Sequence, residues 1–232
     1  MNLLNWSSCL WIWFMCIVVE CLPKFHLSSR YEYADSFTLT MSYIVDDTLI
    51  DDDKTYIEAW LAWVAQQAMF DFQRVFHFTL NLKFKITYLE NKEDLKGLLQ
   101  PNKIGTYVWP YGAISTLTEY FRGQSHFDII CLVTNLKLDD GDMVRNGYGY
   151  HGSQTLCEES LPILLAYAPR HHGYSSYMLL SLILDSISPG IGGSVFNVPS
   201  DEHDKLKDHL RKCKNKHGDS PDPDDPQEPP LP

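Results

Sequence analysis

The chain carries nine histidines, six cysteines and thirty acidic residues, and their spacing decides which chemistry they can build. A metalloprotease helix needs two histidines four residues apart, so that both imidazoles leave one face toward zinc. A glutamate beside the first histidine then takes a proton from the bound water. The histidines here are His26, His77, His126, His151, His171, His172, His203, His209 and His217, and no two of them stand four apart. The chain has no His-Glu-x-x-His, no Gly-x-Ser-x-Gly, no Walker loop and no Gly-x-Gly-x-x-Gly fingerprint following a strand. Adjacent His171 and His172 diverge on a regular element; only in a loop could they meet His151 or His126 around a metal, so ordinary surface and loop histidines are the reading adopted. Cys157 with His151 lacks an acidic orienter that the sequence can identify. Ser175, Ser176 and Ser181 read as helix-start and helix-face residues. No nucleophile, base and oxyanion donor assemble from these positions.

The elements that would hold such groups are legible in the periodicity. Phe37, Leu39, Met41 and Tyr43 alternate with hydroxyl residues, as a strand requires. Asp46, Asp47, Asp51, Asp52 and Asp53 follow, and they read as a helix start and a solvated turn, without the glycine and final glutamate of a calcium loop. Ile57, Trp60, Leu61, Val64, Ala68, Phe72, Val75 and Phe76 recur at helical spacing and predict a long helix over 54–78. Leu80, Leu82, Phe84, Ile86 and Tyr88 alternate with polar residues in a second strand. A short helix is expected over 91–99, an irregular link from Pro101 to Pro110, and another short helix over 116–122. Residues 127–134 are apolar on both faces apart from Asp128, which predicts an interior strand covered by helices on at least one side, with Cys131 inside it. Residues 147–152 read as a loop feeding an edge strand and 163–167 as a further strand. A buried helix should cover 174–187, and a charged one should begin with Ser200 as its cap and reach Cys213. The fold class expected is α/β, a single domain over 22–218 with a mixed, mostly parallel sheet packed with long helices.

Composition agrees with one domain: 232 residues, 44% of them apolar, can bury one sizeable core. The formal charge of -11 and pI near 5.1 disfavour nucleic acid and anionic membrane as partners, and leave a basic protein or an amine ligand compatible. Leu10 through Val19 form an apolar run of signal-peptide length, too short to span a bilayer. The preceding segment lacks Lys or Arg, and Glu20 and Cys21 make a poor cleavage site. The reading is a signal peptide over 1–21, hence a secreted, extracellular protein with no stable membrane insertion after cleavage. Cleavage would leave Cys131, Cys157 and Cys213. Residues 219–232, rich in proline and acid, cannot build a core and are expected to form a disordered tail.

The succession of a strand, the long helix through Phe76, the alternating strand Leu80 to Tyr88, then His126-Phe-Asp-Ile-Ile-Cys-Leu-Val-Thr134, then Gly147-Tyr-Gly with Cys157 soon after, resembles the reprolysin-like metzincin catalytic domain. More narrowly it resembles the divergent metalloprotease-like proteins of hard-tick saliva, the 28 kDa metastriate family. The resemblance covers roughly residues 36–214 and implies a single metzincin-like domain. It places Leu180 and Leu184 on the first two zinc-ligand positions, Ser181 on the catalytic glutamate, Ile187 on the glycine and Gly190 on the third ligand. No methionine follows Met178, so the Met-turn of active relatives is missing as well. The implied protein has no catalytic residues, no zinc and no other cofactor. The resemblance also implies a Cys157–Cys213 disulfide, with Cys131 reduced and buried mid-strand; a retained Cys21 could pair with Cys213 or Cys131 instead. The function implied is noncatalytic binding of a host extracellular protein of haemostasis or immunity. Contact would come from the former substrate cleft or the loop region 109–120, through Trp109 and Tyr111. An active secreted zinc metalloendopeptidase with an unusual ligand set, and a small-ligand carrier with a cavity, are the alternatives.

Overall fold

The computed structural model describes residues 35–123, 127–139, 147–152, 156–189 and 192–214. The readings for the signal peptide 1–21, the tail 219–232, His126 and Gly190 lie outside these residues. In chain order the elements are β1 (Ser36–Val45), α1 (Lys54–Phe76), β2 (Thr79–Tyr88), α2 (Glu93–Leu99), β3 (Lys103–Ile104), β4 (Tyr107–Val108) and α3 (Pro110–Phe121). They continue with β5 (Ile129–Thr134), β6 (Lys137–Leu138), β7 (Gly149–His151), β8 (Leu161–Ala166), α4 (His172–Ile187) and α5 (Ser200–Lys214). The five-stranded sheet runs in the order β2-β1-β5-β8-β7. Strands β2, β1, β5 and β8 are parallel, and β7 closes one edge antiparallel to β8. The protein is therefore mixed α/β with a mostly parallel sheet.

Strand alternation sorts the core into two layers. Phe37, Leu39, Met41, Tyr43 and Val45 of β1 join Ile129, Cys131 and Val133 of β5 on one face, where α1, α4 and α5 pack. Ile44, Ile130, Leu132 and Leu164 look to the other face, where Leu95 and Leu99 of α2 and Ala113, Ile114 and Leu117 of α3 cover them. Strand β5 is thus buried on both faces, which is why it reads as a continuous apolar run. Helix α1 starts on Asp53, whose carboxylate accepts from Thr55 N at 2.8 Å, and ends on left-handed His77, whose N–H reaches Gln73 O. Helix α4 lies directly on the edge strand at Gly149, where a Cβ would stand 2.6 Å from Met178 Cγ and 2.8 Å from Leu182 Cδ1.

The structure departs from the sequence reading at short elements. The link from Pro101 to Pro110 is a hairpin, β3 and β4, which β6 extends into a second, three-stranded sheet. Strands of two residues carry no alternation to read. Helix α3 begins at Pro110, not at Thr116, because proline at the first helical position lacks only an N–H that would have had no partner there. The region 109–120 is therefore a helix, not a loop. Residues 149–151 are the edge strand itself. Ser200 is already helical, and the carbonyl of Pro199 accepts from Glu202 N at 3.1 Å.

Cys157 and Cys213 are bonded, with Cα atoms 4.9 Å apart and a sequence separation of 56. Both are buried, so the bridge ties α5 into the core and is not a surface link. Cys131 is a free, buried thiol. Burial pushes its pKa far up, which keeps it in the unreactive protonated form. Native protein treated with iodoacetamide at neutral pH should leave Cys131 unmodified on peptide mapping, and denaturant should expose it to complete alkylation. Full modification before denaturation would overturn the burial assignment.

Candidate functional site

On α4, Leu180 and Leu184 stand one turn apart and share a face. Both are fully buried, in the same core layer as Cys131, Ile163 and Leu165. Ser181 and Ile187 are half-buried on the same helix. A leucine side chain has no lone pair to offer, so these positions do not fit a zinc ion. Among the described residues no three His, Cys, Asp or Glu side chains gather as a metal site would require.

Each described histidine of the sequence reading goes to a different neighbour. His151 Nε2 lies 3.1 Å from Asp185 Oδ2 of α4, and its Nδ1 lies 2.6 Å from Gly152 O. Asp185 is the acidic orienter that the sequence did not reveal, 34 residues away from its histidine. The thiol that such a dyad would activate is missing, because Cys157 is bonded to Cys213. His171 faces the ring of Tyr148 at 6.1 Å. His172 meets Trp63 edge to face at 4.5 Å.

Trp109 and Tyr111 form an exposed pair at the start of α3, 47% and 66% accessible with ring centroids 6.2 Å apart. Trp109 is nonetheless held in place. Its main-chain N–H donates to Asn102 O at 2.8 Å, and Asn102 Nδ2 donates to Thr116 Oγ1 at 3.0 Å. A Cβ at Gly112 would lie 2.1 Å from Asn102 Oδ1 and 2.3 Å from the Trp109 ring, so only glycine lets the indole rest there. Ile104 and Tyr107, paired across the hairpin, are also exposed. Residues 104–111 thus present four large, mainly apolar side chains to solvent as two pairs, Ile104 with Tyr107 and Trp109 with Tyr111.

That hairpin is anchored in the sheet by a charge cluster. Lys103 of β3 donates to Asp46 Oδ1 at 2.5 Å and also to Asp47. Asp46, immediately after β1, accepts from Thr134 Oγ1 at the end of β5 at 2.8 Å and from Thr48 Oγ1 at 2.9 Å. Burial raises the Asp46 carboxyl above its ordinary value, and Lys103 only partly offsets this. For Asp47 burial acts upward too, but the hydrogen bonds from Lys103 and Asp46 and the lysine charges outweigh it, and its carboxyl lies below the ordinary value. The sequence pattern alone assigns both to the solvated helix start. Asp53 does cap the helix, whereas Asp46 is an interior group; its place directly behind an apolar strand was the available signal.

No family model matches the chain, and no curated protein does. Among solved structures it is similar to metalloproteinase-II from Bacteroides fragilis, at 14% identity and a TM-score of 0.42, over 64% of this chain and 42% of that one. It is also similar to a zinc-dependent peptidase from Methanocorpusculum labreanum, at 11% identity and a TM-score of 0.29, over 73% of this chain and 99% of that one. The chain spans less than half the length of the Bacteroides protein.

Proposed function

We propose that this is a secreted, noncatalytic protein of the metalloprotease-like type found in hard-tick saliva, with a metzincin-like domain, which binds a host extracellular protein of haemostasis or immunity. The observation that carries the reading is the complete burial of Leu180 and Leu184. Where active relatives would aim two imidazoles at zinc, this helix contributes apolar surface to the core. Burial of each leucine stabilises the fold by roughly 1.5–3 kcal/mol, so packing replaces what a metal would supply. Because the described residues hold no metal-ligand cluster, we assign the activity to exposed surface. The rim around Trp109 and Tyr111 has the residue types that dominate binding energy at protein interfaces, and the Trp109 ring lies against the bare Cα of Gly112. The charge of -11 favours a basic partner surface.

Two measurements test this reading. The secreted protein, dialysed and assayed for metal, should carry no stoichiometric zinc and should cleave no generic protein substrate; chelator-sensitive proteolysis would establish the enzyme alternative. Immobilised protein should retain a discrete plasma component. The Trp109→Ala/Tyr111→Ala double variant, folded by circular dichroism, should lose about 2 kcal/mol or more of binding, a drop of at least thirtyfold in affinity. Equal retention by both proteins would remove the rim from the interface.

A further inference from the structure

A second surface feature is lined neither by the α3 aromatics nor by any of the lost zinc positions. The first turns of α1 and the segment after β8 enclose a groove of about 430 Å³, within the size range of small-ligand sites. Its walls are aromatic: Tyr56, Trp60 and Trp63 from α1, and Tyr167 and His172 from the opposite side. Two of the rings are set by edge-to-face contacts, Trp60 on Tyr167 at 4.9 Å and Trp63 on His172 at 4.5 Å. Trp60 is almost fully buried, while Trp63 and Tyr56 remain accessible at 37% and 73%. The groove's charged lining groups are the carboxylates of Asp52 and Asp53. The neighbouring cation Lys54 is turned to Glu90 at 2.6 Å and to the face of Tyr88 at 4.4 Å.

We propose that this groove binds a small organic ammonium ion, with the accessible rings of Trp63 and Tyr56 holding the cation and Asp52 supplying the countercharge. Aromatic faces attract a cation through their quadrupole, tryptophan most strongly, and the attraction grows as water is excluded. A carboxylate at the mouth adds charge complementarity and, in a protein of net charge -11, a long-range pull on any cation. Asp52 is close enough to act on the groove electrostatically: the phenol of Tyr167 is raised above its ordinary pKa, by burial first and by the charge of Asp52 second. Asp53 is partly committed as the helix cap, accepting from Thr55 N, which leaves Asp52 as the available partner. His172 donates from Nδ1 to Pro169 O at 3.0 Å. An anionic ligand would meet two carboxylates, and a neutral apolar one would leave them without a cation.

Isothermal titration calorimetry with phenethylammonium, and with 2-phenylethanol as its neutral counterpart, tests the assignment on the full secreted chain. The amine should bind, and the alcohol should bind at least about tenfold more weakly. Trp63→Ala should weaken the amine by about tenfold while Trp63→Phe retains most of the affinity, and Asp52→Asn should weaken it severalfold. Circular dichroism and melting of each variant separate loss of the site from loss of fold, and Asp52, exposed on a turn, gives a variant that leaves the core untouched. Equal binding of amine and alcohol overturns the proposal, as does amine binding that neither Trp63→Ala nor Asp52→Asn changes. Tighter binding of a lysine-rich peptide than of phenethylammonium would also overturn it, because the groove would then take a protein side chain in place of a small amine.

Discussion

Replacing Lys103 with methionine should lower the unfolding free energy by about 3–5 kcal/mol, the cost of leaving a buried carboxylate without its partner. The Lys103 side chain is 9% exposed and that of Asp46 only 1%, so water cannot take the place of the ammonium. The double variant Lys103→Met/Asp46→Asn should regain much of the loss, since no uncompensated charge is left inside. Urea unfolding followed by circular dichroism measures both. A loss below about 1 kcal/mol for Lys103→Met would place the pair among ordinary surface salt bridges. The sign of the pH effect follows from the same contacts. Burial alone would lower the pKa of Lys103, but Asp46 and Asp47 together hold it above the ordinary lysine value. Its stabilising contribution is therefore complete below an unfolded-state pKa of about 10.4, and is lost as pH rises through the higher folded value. The Lys103→Met variant should lack that alkaline component.

Leu184→Ala should cost about 2–5 kcal/mol, and Leu180→Ala a similar amount, from lost transfer free energy plus the cavity left between α4 and the sheet. Both side chains are fully enclosed, so the neighbouring core has little room to relax. Leu184→His is the sharper comparison. If the position belongs to the core, histidine should destabilise at least as strongly as alanine, and added zinc should not restore the melting temperature. Recovery of stability with zinc would mean that the helix still faces a cleft able to gather ligands, and the reading of α4 as filled core would fail.

Long elements were legible because burial imposes a period on them. The alternation of Phe37, Leu39, Met41 and Tyr43 and the helical spacing from Ile57 to Phe76 both follow from having one face in the core, and β1 and α1 lie where those patterns place them. The β3–β4 hairpin was not legible, since its strands hold two residues each and its anchor, Lys103, finds its partner 57 residues back. The same holds for Asp185 and His151: nothing local marks two residues on different elements as neighbours. Spacing alone did not pair the cysteines either. That pairing rested on the family resemblance, and the structure joins Cys157 to Cys213. Trp109 and Tyr111 were visible as aromatics, but their exposure depends on α3 starting at Pro110 and on the bare Cα of Gly112.

The parallel pairing of β1 with β5 also sets the order in which the molecule can be assembled. Thr40 and Asp128, joined by hydrogen bonds at the start of this pairing, are 88 residues apart, whereas β1 and β2 are linked through a short 3-10 turn and one α-helix. The β1-α1-β2 unit can therefore collapse while the chain is still being synthesised, but one edge of β1 stays open until β5 has emerged. Contacts of such long range must pay the entropy of closing a large loop before they gain any packing, which slows folding. During that interval the unpaired edge beside Met41, Tyr43 and Val45 is an apolar template for pairing with another chain. Yield in a secretory host should accordingly depend on how long that edge waits, and slowing translation between β2 and β5 should increase aggregation, not relieve it.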